Sequence, residues 1–77
     1  MRIETINGRN LVCGHLFPTD ELASGQRWAP ADGSNREVKI VTVDGDWVEY
    51  EWQENGVRKT HQKLAFAFQC RYCKVVE

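Results

Sequence analysis

One stretch in the middle of the chain leaves little freedom of fold. Arg36-Glu37-Val38-Lys39-Ile40-Val41-Thr42-Val43 is dense in β-branched residues, and Trp47-Val48-Glu49-Tyr50-Glu51-Trp52 alternates with a period of two. Between them Asp44-Gly45-Asp46 supplies a tight turn, with a glycine that accepts a positive φ. This is a β-hairpin. Successive strand side chains point to opposite faces, so Val48, Tyr50 and Trp52 share one face while Trp47, Glu49 and Glu51 share the other. The first face is core, which leaves Trp47 as an aromatic among carboxylates. A second turn, Glu54-Asn55-Gly56, carries the Asn-Gly hairpin signal. The strand that follows it, Val57-Arg58-Lys59-Thr60-His61, is polar enough to stand at a sheet edge.

The remainder is read around that hairpin. A chain of 77 residues makes one domain and buries only about 60% of its unfolded surface, so it needs good packing or a staple. Gly25-Gln26-Arg27-Trp28 opens a strand, followed by a loop through Pro30 and Asp32-Gly33-Ser34-Asn35. Pro18-Thr19-Asp20-Glu21-Leu22-Ala23 suits one helical turn capped by Thr19 or Asp20. Ile3 to Val12 forms one or two short strands broken at Asn7-Gly8. Lys63-Leu64-Ala65-Phe66-Ala67-Phe68 either continues as strand, with Phe66 and Phe68 sharing a core face, or closes one helical turn. Gln69 to Val76 is a final strand, interrupted or ended by two cysteines.

Five short strands from Arg27 onward, with tight hairpins and a brief turn before the last, have the rhythm of an SH3-like barrel. The stretches Gly25-Gln26-Arg27-Trp28, Val38-Lys39-Ile40-Val41 and Trp47-Val48-Glu49-Tyr50 resemble small SH3-like proteins found in phages and prophages. The resemblance implies a mostly β, SH3-like five-stranded barrel over residues 25–77, with residues 1–24 as an N-terminal extension packing on it. It implies a binding scaffold rather than an activity.

The chemistry-bearing residues cluster at the two ends. Cys13-Gly14-His15 near the start and Cys70-Arg71-Tyr72-Cys73 near the end offer three thiols and an imidazole, the donor set of one structural zinc. The chain ends of such barrels lie close together, so Cys13, His15, Cys70 and Cys73 are the expected ligands, with His61 in reserve. The competing reading is three buried thiols that behave as small hydrophobes. An odd cysteine count and the absence of an export signal speak against a disulfide framework and place the chain in a reducing cytoplasm. No run approaches the ~20 apolar residues of a membrane span. The Cys-x-x-Cys lies in a β-rich segment, not at the head of a helix in a βαβ unit, so a thioredoxin-like role is rejected. Neither serine stands in a nucleophile-elbow context and no glycine run suits phosphate, so the chain is read as non-enzymatic.

A formal net charge of −1 gives no overall field toward nucleic acid. The charges are nonetheless segregated: Asp44, Asp46, Glu49, Glu51 and Glu54 precede Arg58, Lys59, Lys63, Arg71 and Lys74. Two binding surfaces follow. The first is for another protein, as in a phage-encoded or bacterial protein that binds and modulates another protein, through Trp47 with Asp44, Asp46 and Glu49, and through Trp28 beside the Pro30 loop. Tryptophan and tyrosine are common interface anchors. The second is for nucleic acid, through Arg58, Lys59, Lys63, Arg71, Tyr72 and Lys74, where aromatics within a basic run suit base stacking. A third reading is a small subunit of a larger assembly.

Overall fold

In a computed structural model, the described residues are 2–6, 8–32 and 36–76, with the side chains of Arg2, Glu4, Ile6 and Arg9 left aside. The expected Asn7-Gly8 break and Gly33-Ser34-Asn35 loop lie largely outside them. The described residues are mostly β, with one antiparallel sheet and one short α-helix among them. Its strands are β1 (Arg2–Ile6), β2 (Arg9–Cys13), β3 (Arg27–Pro30), β4 (Val38–Asp44), β5 (Trp47–Glu54), β6 (Val57–Leu64) and β7 (Tyr72–Val76). Helix α1 spans Ala65–Arg71. The order across the sheet is β1-β2-β7-β3-β4-β5-β6.

The central hairpin forms where its sequence requires. Asp44 pairs with Trp47 across a two-residue turn, and Glu54 pairs with Val57 across Asn55-Gly56. Asn55 and Gly56 both have positive φ, 54° and 78°, the twist that suits a right-handed hairpin. Val41 is the extra residue of a bulge, since Ile40 faces Tyr50 and Thr42 faces Glu49. The polar β6 is the sheet edge, as its composition suggests. At the other end the β1–β2 hairpin lengthens the same sheet through β7.

Two apolar clusters lie on opposite faces. The larger holds Leu22, Trp28, Val38, Ile40, Val48, Tyr50, Ala65 and Phe68. The smaller holds Leu11, Cys13, Ala29 and Cys73. Strand alternation explains the division: Trp28 and Ala29 are neighbours on β3, as are Tyr72 and Cys73 on β7, and neighbours face opposite ways.

Three local expectations are corrected. The turn at Thr19–Glu21 is a 3-10 turn with Pro18 at its N-cap and no side-chain cap bond, so neither Thr19 nor Asp20 caps it. Of the two readings for residues 63–68 the helical one holds, and the helix α1 runs on through Gln69, Cys70 and Arg71, so the final strand begins at Tyr72 and not at Gln69. Helical spacing therefore turns Ala65 and Phe68 inward and Phe66 outward. Phe66 is surface, not core.

Phe68 is fully buried, with ring centroids 5.1 Å from Trp28, 5.0 Å from Tyr50 and 4.9 Å from Tyr72. Phe68→Ala should cost about 3–5 kcal/mol of stability, whereas Phe66→Ala should stay within about 0.5 kcal/mol. Denaturant unfolding of the two variants measures the contrast. A second expectation concerns Tyr50. Burial, the neighbouring Tyr72 charge and a hydrogen bond with Tyr72 hold its hydroxyl well above the ordinary value of 10.0, while Arg71 opposes them. The folded state then keeps a proton that the unfolded chain loses, so stability is intact below about pH 10 and falls as pH rises further. Unfolding curves from pH 7 to 11 should show a shallower alkaline loss in Tyr50→Phe than in the parent protein; equal slopes would exclude Tyr50 as the cause.

Candidate functional site

The surface around the central hairpin turn is built by three elements. Trp47 opens β5 and stands directly opposite Leu64, the last residue of β6. The chain then enters α1, whose first residue Ala65 donates its N–H to the Asp46 carbonyl at 2.7 Å. This bond ties the hairpin turn to the helix and sets Phe66 beside it. The loop after β2 contributes Leu16, Phe17 and Pro18. Leu16, Pro18, Asp46, Leu64 and Phe66 line one open cavity of about 370 Å³. Trp47 is 51% exposed, Leu64 47%, Phe66 66% and Leu16 51%.

One side chain holds that loop in place. The Phe17 N–H donates to Gln69 Oε1 at 2.6 Å, and Gln69 Nε2 donates to the Phe17 carbonyl at 3.0 Å. The amide of Gln69 thus pairs with a backbone unit as a neighbouring strand would. Phe17 packs edge-on against Trp28, with centroids 6.0 Å apart, and Lys74 Nζ lies 5.0 Å from the Phe17 ring centre.

Acidic groups border this apolar surface. Asp44 and Asp46 are exposed, and Glu49 is half-buried with Thr42 donating to it at 3.5 Å. Asp44, Trp47 and Glu49 line one shallow depression with Thr42 and Gln62. Of the expected Trp47 group, Asp44, Trp47 and Glu49 share this depression, while Asp46 lines the cavity with Leu64 and Phe66. Trp28 is not part of it. At 1% exposure it is a core residue, because β3 lies between β7 and β4 and turns the indole onto Phe68.

The basic residues are dispersed. Arg58 pairs with Glu51 on the outer face of the β5–β6 ladder. Lys59 and Lys63 alternate with it and lie on the other face, with His61 between them against the Tyr50 ring. Arg71 is exposed at the end of α1. Tyr72 is stacked on Phe68 and Lys74 is held over Phe17, so both are occupied in packing. Arg58 thus stands on the opposite face of β6 from Lys59 and Lys63, and Arg71 and Tyr72 line a separate cavity.

The cysteines meet as the end-to-end argument expects, but as a covalent bond. Cys13 and Cys73 form a disulfide with a Cα–Cα distance of 4.8 Å. The correction has a physical cause: β2 and β7 are adjacent, and their register (Leu11 with Val75, Val12 with Lys74) brings 13 opposite 73. Cys70 is a free, exposed thiol on α1. His15 is exposed, with its ring edge-on to Phe17 at 4.5 Å. His61, on β6, belongs to a different region. Among the described residues no group of three or more His, Cys, Asp or Glu side chains is set to hold a metal.

Leu16, Leu64, Phe66 and Gln69 were not foreseeable as a group. Helical spacing in Ala65-Phe66-Ala67-Phe68 is the one signal that would have turned Phe66 outward; nothing local marks Gln69. No family model, curated protein or solved structure matches this chain. Among the described residues no helix is long and apolar enough to cross a membrane.

Gln69→Ala removes both bonds to Phe17 and should cost about 1–2 kcal/mol. Amide hydrogen exchange at Phe17 should accelerate by more than the global destabilisation accounts for, the mark of a loop released locally.

Proposed function

We propose that this chain is a non-enzymatic binding module that docks a basic, apolar segment of another protein on the surface around Trp47 and Phe66. The observation that carries the reading is the exposure of Trp47, Leu64, Phe66 and Leu16 on adjoining elements of so small a chain. Single exposed hydrophobes are ordinary; here Leu16, Leu64 and Phe66 line one cavity and Trp47 stands cross-strand from Leu64, and such a group marks interaction sites. Aromatics at the centre with charge at the rim is the usual anatomy of a protein interface.

The rim selects the partner. Asp44, Asp46 and Glu49 surround Trp47, so a complementary segment carries Lys or Arg beside its apolar anchor. Such a rim repels phosphate, which favours a protein partner over a nucleic acid. An SH3-like scaffold is supported by the strand order β7-β3-β4-β5-β6 with a short helix between the last two strands in sequence.

A randomised peptide array probed with the labelled protein tests this reading. The expected result is enrichment of peptides pairing an aromatic or aliphatic anchor with Lys or Arg. Trp47→Ala and Phe66→Ala, both exposed and fold-neutral, should each weaken the selected peptides by about 30-fold. Lys at positions 44 and 49 should reverse the charge preference. Undiminished binding by both aromatic variants would refute the site, and concentration-dependent self-association through the same residues would identify it instead as an assembly contact.

A further inference from the structure

The disulfide, the free thiol and His15 occupy one place in the fold. Cys13, His15, Cys70 and Cys73 all line a single solvent-open cavity of about 390 Å³, on the far side of Leu16 and Phe66 from the docking surface. Each arrives by a different route. Cys13 ends β2, and His15 follows it by two residues. Cys70 lies in the last turn of α1, and Cys73 is the second residue of β7. The Gln69 clamp also bears on this site, because it fixes the loop carrying His15 to the helix that carries Cys70.

We propose that this cavity is a redox-controlled metal site: closed as the Cys13–Cys73 disulfide, and binding one zinc ion when that bond is reduced. In the oxidised chain Cys13 and Cys73 are bonded to each other, and among the described residues no group of three or more donors is set to hold a metal, so the site belongs to the reduced chain alone. A dithiol reductant supplies two electrons and two protons. Its own sulfurs close to a disulfide, and Cys13 and Cys73 become thiols. Zinc then displaces the protons of Cys13, Cys70 and Cys73 and accepts a lone pair from neutral His15, releasing three protons in all.

Two of the four donors start as neighbours. Thiolates about 2.3 Å from a tetrahedral zinc stand about 3.8 Å from one another, a separation that cross-strand cysteines reach by rotating side chains alone. With their Cα atoms 4.8 Å apart, Cys13 and Cys73 remain neighbours after the bond opens, because the β2–β7 ladder holds their backbones. Cys70 is linked to Cys73 by the two-residue spacing that suits one ion. In a reducing compartment zinc replaces the staple; in an oxidising one the disulfide does.

Native mass spectrometry of the full chain with equimolar zinc, with and without a phosphine reductant, provides the test. The expected result is one zinc per reduced chain and none per oxidised chain. Cys70→Ser and His15→Ala change exposed side chains and leave the disulfide intact, so both should fold. Each should lower zinc affinity of the reduced protein by about tenfold or more. Cobalt in place of zinc should give thiolate charge-transfer absorption that diminishes in Cys70→Ser and persists in His15→Ala. A reduced parent protein that stays metal-free would overturn the proposal, as would equal zinc binding by the oxidised form or by both variants.

Discussion

Phe68 is the point through which the rest of this molecule is joined. Its ring touches Trp28 from β3, Tyr50 from β5 and Tyr72 from β7, three strands that are not all neighbours in the sheet. The curl of the sheet already brings Tyr50 and Tyr72 together, with ring centroids 5.6 Å apart, and the Phe68 ring closes the group with Trp28. By lying across the inner face, α1 converts an open curved ribbon into an enclosed core, and Phe17 and Leu22 fill the margin from the preceding loop. Aromatic contacts of this kind contribute about 0.5–1.5 kcal/mol each beyond the area they bury. Three on one ring form a large part of what a domain this small possesses.

The same helix generates the surface. Its inward face is fixed by Ala65 and Phe68, and a helix of this length then has no choice but to present Phe66 and Cys70 outward. Phe66 meets the Trp47–Leu64 pair because the Asp46 carbonyl anchors the start of the helix. Cys70 lines the same cavity as Cys13 and Cys73 because the helix ends where β7 begins. The apolar docking surface and the sulfur cavity are thus two flanks of one seven-residue element.

What could be read in advance follows from the range over which each feature is determined. The β4–β5 and β5–β6 hairpins rest on alternation and turn chemistry within a dozen residues, and both were legible in place, with strand ends displaced by one to three residues. The polar edge strand and the exposure of Trp47 came from the same local rules. Trp28 was misplaced because a strand-opening tryptophan has no local signature of burial; its fate depends on β7, more than forty residues away. The meeting of the cysteine ends was legible as proximity. Its form as a disulfide depended on a register between β2 and β7 that no short window contains. Gln69 belongs to the same class, since its partner is the backbone of Phe17 and a backbone carries no sequence signal.

The position of β7 has a consequence for how the molecule comes into being. The last strand in sequence sits in the interior of the sheet, between β2 and β3. During synthesis the hairpins of β4, β5 and β6 complete themselves from local contacts as they emerge. The N-terminal hairpin and β3, made earlier, face a gap that only the final strand fills, and both keep an unpaired edge until it arrives. The joining step closes long loops and is correspondingly slow. A nascent chain halted before residue 72 is therefore the form most exposed to pairing with strangers.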